Sequence, residues 1–249
     1  MNIDFKPEII FEDNHCLAAI KPPGISLAGD HRGETSFLDV IRGYYESSLA
    51  EGKKGYMVPV HFLDRPVSGI VIFAKSSKSA RRLNEQFRSR AIGKTYIAVV
   101  EGGVEPEKGL LTDYLAKDRS RNMTVVSNKG DSEAKLCHLY YDVLERSDRG
   151  ALLAIYPVTG RSHQIRVQLS SRGWPIAGDE KYGGTPFREK RIALHAAGLS
   201  FDHPTLKERV FLKSIPDPFW DAVWPLAREA TRRFLDSKSS FPFEGKGKL

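Results

Sequence analysis

Three segments of this chain set polar side chains beside apolar runs, in a pattern suited to work by a single carboxylate. The first is His61-Phe62-Leu63-Asp64-Arg65-Pro66-Val67-Ser68-Gly69, just ahead of the apolar run Gly69 to Ala74. A carboxylate at the mouth of a buried strand is costly unless it is paired. Taken alone, Asp64 reads better as a turn cap covered by Arg65. The second is Gly93-Lys94-Thr95-Tyr96, opening a strand in which Tyr96 shares a face with Ala98 and Val100 and is half buried. That is the ordinary setting of a core tyrosine whose hydroxyl has found a partner. The third is Thr159-Gly160-Arg161-Ser162-His163-Gln164-Ile165-Arg166. On a helix, His163 and Arg166 are neighbours three apart, while Ile165, Val167 and Leu169 show that the same helix is packed.

The elements that must carry these segments follow from periodicity and punctuation. Strands are expected at Ile9 to Phe11 and Cys16 to Ile20, then a stop at Pro22-Pro23-Gly24. Helical spacing runs from Ser36 to Leu49. From Val58, alternation through Val60, Phe62 and Asp64 predicts a strand, and Gly69 to Ala74 one buried on both faces. Ser76 or Ser77 caps a helix to about Arg90, with Ala80, Leu83 and Phe87 inward. Further strands are expected at Lys94–Val100, Met123–Val126, Ala134–Leu144, Ala151–Tyr156 and Ile192–Phe201. Helices are expected at Arg161–Arg172 and Phe219–Phe234, with a frayed tail over 237–249. Strands outnumber helices and often follow one another, which predicts an α+β domain with a mixed, largely antiparallel central sheet flanked by helices and loops. No shift in composition divides the 249 residues, so a single domain over 1–249 is expected.

The balance of 41% hydrophobic and 28% charged residues is that of a globular chain. No apolar run reaches the roughly 18 residues of a membrane span, and the N-terminus lacks the pattern of a secretory signal. Cys16 and Cys137 lie in separate apolar runs and are expected as buried thiols of a cytoplasmic protein. A net charge of +7 favours a polyanionic partner. The basic residues cluster, with Lys78, Arg81, Arg82, Arg88 and Arg90 in one segment and Arg161, Arg166 and Arg172 in another.

Together the segments resemble the signature stretches of the RluA-type pseudouridine synthases. That family carries His-Arg-Leu-Asp-Arg-x-Thr-Ser-Gly, Lys-x-Tyr and Gly-Arg-Thr-His-Gln-Ile-Arg, matched here by His61 to Gly69, Lys94 to Tyr96 and Gly160 to Arg166. Lys21-Pro-Pro-Gly24, Pro175 to Gly183 and Leu194 to Pro204 match flanking stretches in the same order. Several long motifs in register are far more specific than one. The resemblance implies isomerisation of uridine to pseudouridine in ribosomal or transfer RNA, without cofactor or metal; a monomer that needs no protein partner is the default for a catalytic domain of this size. It implies that Asp64 is the essential group, acting on the sugar as nucleophile or base, that Tyr96 lies against the uracil, and that Arg166 pairs with Asp64 and keeps it charged. His61, Phe62, Arg65, Arg161, His163 and Gln164 are expected at the RNA. No RNA-binding module of the S4 kind is expected ahead of Lys21, which leaves RNA to the catalytic domain and its basic helices.

This sequence departs from the family at Phe62, where Arg is usual, and at Val67, where Thr is usual. The Arg helps extrude the base, so Phe62 is expected either as an apolar wedge in its place or as a core residue, with extrusion lost or moved to Arg65. Rival chemistries are weaker. A glycosidase needs two carboxylates, and only Asp179 could join Asp64. A metal hydrolase on His61, His163 and His195 matches no ligand spacing. A non-catalytic RNA-binding protein or RNA chaperone on the same fold is the alternative outside enzymes.

Overall fold

The computed structural model describes residues 5–29, 33–50, 54–187 and 189–237. The expected tail beyond Ser237 lies outside the described residues. The chain begins with an antiparallel pair, β1 (Glu8–Glu12) and β2 (Cys16–Lys21), followed by helix α1 (Phe37–Glu46). Ser36 starts α1 through a reciprocal cap with Asp39, satisfying backbone donors that the first turn cannot use. Next come β3 (Val58–Pro59), β4 (Ser68–Ala74), helix α2 (Ser77–Arg88) capped by Ser76, and β5 (Gly93–Glu101). Four antiparallel strands follow: β6 (Lys108–Asp118), β7 (Met123–Ser127), β8 (Lys135–Ser147) and β9 (Gly150–Pro157). The chain then forms helix α3 (Gln164–Ser170), a 3-10 turn (Glu180–Tyr182), β10 (Leu194–Asp202), β11 (Arg209–Lys213), and helices α4 (Phe219–Val223) and α5 (Ala227–Asp236).

All the strands join one 11-stranded sheet in the order β1-β2-β4-β10-β5-β9-β8-β6-β7, with β11 on β10 and β3 on β4. Among the described residues, only the β4–β10 pairing is parallel. This is the expected α+β, mixed and largely antiparallel sheet. β4 is buried along its whole length because both faces are covered. Val71 and Phe73 pack with Phe37 and Ile41 of α1, and Ile70 and Ile72 with Ala80 and Leu83 of α2.

Several details differ from the expectations. The strand expected through Asp64 is only Val58–Pro59; beyond it the backbone is a loop in which Val60, Leu63 and Val67 are buried at spacings of three and four, not two. β6 escaped notice because its inward face carries Asp113 between Leu111 and Leu115, which breaks the apolar alternation. The short strand β11 also went unread. The single helix expected from Phe219 to Phe234 is two, because Pro225 holds Trp224 extended (φ −141°, ψ 116°) and Leu226 turns left-handed.

Candidate active site

The sheet places the entry to β4, the start of β5 and the start of α3 around an open cleft of about 1010 Å³. Asp64 comes from the loop between β3 and β4. Leu63 is buried, and Val67 N–H donates to Asp64 C=O at 3.1 Å, closing a turn. Val67, 2% exposed, packs in the core, so the apolar departure at this position suits its surroundings. Below the turn, Lys21 is fully buried and donates to the carbonyls of Pro22 (2.9 Å), Ile25 (3.0 Å) and Arg65 (3.1 Å). Burial pulls its pKa down to about 7, against the opposing pull of Asp64. Gly69 has φ +119° and lies so close to β10 that a Cβ would stand 2.4 Å from Ala196 O, which only glycine permits. The loop is thus pinned at both ends, and Asp64 projects into the cleft with 28% of its side chain exposed.

α3 supplies the opposite wall. Its helix is shorter than expected, and His163 stands outside it as the N-cap in left-handed conformation (φ 54°, ψ 16°). Arg166 Nη1 donates to Asp64 Oδ2 at 3.1 Å. The two-pronged grip of Arg166 is on another carboxylate: its Nε and Nη2 donate to the two oxygens of Asp179, each at 2.7 Å. Arg166 is 5% and Asp179 1% exposed. Burial alone would lower the Arg166 pKa, but the two carboxylates hold it above its ordinary value. His163 Nε2 lies 3.7 Å from Asp64 Oδ2, while its Nδ1 meets the Tyr182 hydroxyl at 2.8 Å. Burial lowers its pKa, opposed by Asp64, so the neutral imidazole is favoured. Tyr96 also lines the cleft, and burial, then the charge of Asp64, raises its phenol above the ordinary range, keeping it protonated.

The remaining expected RNA contacts divide. Phe62 is 75% exposed at the cleft, which rules out the core reading, and Arg161 is exposed there too. Arg65 donates through Nε to Gly24 C=O at 2.8 Å and pairs with Glu34, so its reach toward a base is restricted. His61 accepts from Ile72 N–H at Nε2 (3.2 Å) and stacks on Phe87 at 5.0 Å; burial drops its pKa to about 3. Gln164 is a correction. Its oxygen accepts from Thr159 Oγ1 and Arg161 N–H, and its nitrogen donates to His138 C=O and Gln168 Oε1. All four hydrogen-bonding positions are spent inside the protein, so it frames α3 rather than meeting substrate. Sequence reasoning missed Lys21, Lys94, Lys117 and Tyr182 as parts of this neighbourhood and weighed Asp179 only as a weak second carboxylate. Lys21, Lys94, Asp179 and Tyr182 stood within recognisable motifs, but no spacing rule brings them to Asp64.

The rival chemistries fail on geometry. Asp179 is sealed against Arg166 and has no path to activate water beside Asp64. His195 is buried between Ser68 Oγ (2.9 Å) and Ser214 Oγ (3.1 Å), and His61 is held by β4, so the three histidines do not converge. Asp13, Cys16 and His203 do approach within 4.8 Å of one another. There, however, His203 Nδ1 accepts backbone N–H groups from Thr205 and Leu206, which leaves Nε2 as the protonated donor to Asp13. A metal at Nε2 would need an imidazolate.

Beyond its motifs, the chain matches a known family in sequence. The family model for RNA pseudouridylate synthase matches residues 15–171. The chain belongs to the RNA pseudouridylate synthase family. Membership places it among the isomerases that act on RNA. The chain is similar to ribosomal large subunit pseudouridine synthase C of Buchnera aphidicola, with 33% identity over 236 residues, 90% of this chain and 71% of that protein. It is also similar to an uncharacterised RNA pseudouridine synthase of Bacillus subtilis, 34% identical over 203 residues, 82% of this chain and 66% of that protein. The chain therefore spans about two thirds of the length of these relatives. In solved structures its fold resembles human RNA pseudouridylate synthase domain containing 4 (TM-score 0.73, 23% identity, covering 90% of this chain and 93% of that one) and domain containing 1 (TM-score 0.71, 24%, 87% and 86%). Among the described residues no helix is long and apolar enough to cross a membrane.

Proposed function

We propose that this pseudouridine synthase isomerises uridines in structured ribosomal or transfer RNA, with Asp64 as its one essential carboxylate. The supporting observation is the direct Arg166–Asp64 contact at the floor of the cleft. The N-glycosidic bond breaks, the uracil turns while held, and C5 bonds to the same C1′; the C5 proton leaves and N1 gains one. Asp64 acts on the sugar, as nucleophile or as base. Arg166 directs it through the Nη1 contact. Tyr96 packs against the uracil as a neutral ring. A target base inside a stem must first leave its stack, and Phe62, exposed beside Asp64, serves as the apolar wedge that fills the gap. Arg161 and Lys117 lie on the cleft rim, where they meet phosphates. The enzyme works in the cytoplasm as a single-domain monomer without cofactor or partner protein.

The test is to incubate cellular RNA from a strain lacking the enzyme with wild type or Asp64→Ala and map pseudouridine by chemical labelling. Sites formed by wild type and missing with Asp64→Ala are expected. Absence of any Asp64-dependent site would falsify catalysis and leave RNA binding alone.

A further inference from the structure

Asp179 does not line the cleft, yet its carboxylate is wholly given to Arg166. The turn that presents it is tightly built. Gly178 has φ +88°, and a Cβ there would stand 2.5 Å from the Phe187 ring and 2.7 Å from Arg191 O. Asp179 C=O accepts the N–H groups of Tyr182 and Gly184, each at 2.9 Å. Tyr182 then covers the guanidinium of Arg166, 4.9 Å from its ring centre, and its hydroxyl is fixed by Thr124 N–H (3.0 Å) and Thr124 C=O (3.1 Å). Arg166 is held in its plane by Asp179 and on its face by Tyr182, leaving the Nη1 edge for Asp64.

The charges matter as much as the direction. Asp64, Asp179 and Arg166 together carry a net −1, so Asp64 receives only part of the guanidinium charge. A carboxylate gripped by an uncompensated, bidentate arginine is held ionised to lower pH and is a weaker nucleophile and base.

We infer that Asp179 is a positioning residue for the isomerisation: it aims one N–H of Arg166 at Asp64 and offsets enough of the guanidinium charge to keep the Asp64 carboxylate reactive. This rests on the function proposed above. The test compares the pH dependence of kcat and kcat/KM for the full chain, wild type, Asp179→Asn and Asp179→Glu. The probe is a transcript of bacterial large-subunit ribosomal RNA carrying 5-tritiated uridine, whose label is released as C5 is substituted. For Asp179→Asn, kcat is expected to fall about 10- to 100-fold with KM little changed, and the acid limb to move down by about one pH unit or more. Asp179→Glu keeps the charge but shifts the arm, so kcat falls and the limb stays. The other groups influencing Asp64 (Arg166, His163, Lys21, Tyr96, Lys181 and Tyr182) are unchanged in both variants. Because His163 titrates beside Asp64, the comparison is repeated in a His163→Gln background, where the same displacement is expected.

A purely structural Asp179 would lower the active fraction in both variants and leave both limbs at the wild-type position, which would overturn the inference. So would wild-type activity in Asp179→Asn. Should Asp179→Asn fail to fold, by circular dichroism, Asp179→Glu decides: a displaced limb despite the retained charge contradicts the inference. If wild type releases no Asp64-dependent tritium from any RNA tested, the proposed function falls instead, and the two failures are distinct.

Discussion

Phe62 and Asp64 stand two positions apart on one loop and are held in opposite ways. Asp64 is constrained by a turn, by a buried lysine beneath it and by an arginine that a second carboxylate fixes. Phe62 is 75% exposed. An exposed aromatic on a pinned loop costs little to leave in water and gains stacking area when a base arrives, whereas a reacting carboxylate must keep its direction. Under the proposed function, bond-making belongs to the overdetermined wall of the cleft and opening of the RNA to the exposed Phe62.

The strongest way to break that division is at Arg166. Arg166→Ala strands Asp179 as a buried, unpaired charge, so about 3–5 kcal/mol of stability should be lost along with activity. Denaturant titration together with tritium release measures both; a variant of wild-type stability would contradict the buried pairing. Phe62→Ala comes next. Loss of one stacking partner costs about 1–3 kcal/mol, expected as a roughly 10- to 100-fold fall in kcat/KM on structured RNA. Short unpaired oligonucleotides should be affected less, and equal losses on both would count against a wedge.

Charge reversal at the outer face of α2 has a smaller effect. Arg81 is exposed, whereas Arg82 donates to Pro204 C=O at 2.6 Å and ties α2 to the segment after β10. Arg81→Glu should therefore reduce the salt dependence of RNA binding by about one phosphate contact without changing the melting temperature, and an unchanged slope would remove α2 from the RNA footprint. A separate effect concerns pH. Burial depresses His61 to about 3 and His195 to about 4, so below the unfolded value of 6.5 the unfolded chain binds protons that the folded chain refuses. Stability is unaffected by these residues above that pH and declines as pH falls toward about 4. Melting curves should show the decline, with a shallower slope in His195→Gln.

Much of this was legible in the sequence because the fold and the motifs obey local rules. β4 read as an unbroken apolar run because both its faces are covered, and α2 read from its Ser76 cap and inward Leu83. Asp64 and Arg166 were recognisable by resemblance. What stayed hidden depends on tertiary neighbours. β6 was lost because Asp113 faces inward, where Arg172 and Gln168 pair with it. Gln164 looked like a substrate ligand because nothing local reveals that Thr159, His138 and Gln168 absorb its amide. Asp179 was set aside as a poor second carboxylate, since its partner lies on the preceding helix and only the turn at Gly178 brings them together.

Under the proposed function Asp64 is essential to the bond changes but not to RNA binding. Single-turnover tritium release by wild type and Asp64→Asn, with RNA affinity measured on the same transcript, tests it most directly. Retained affinity with release lowered at least about 10³-fold is expected; release at a near wild-type rate from Asp64→Asn would contradict it.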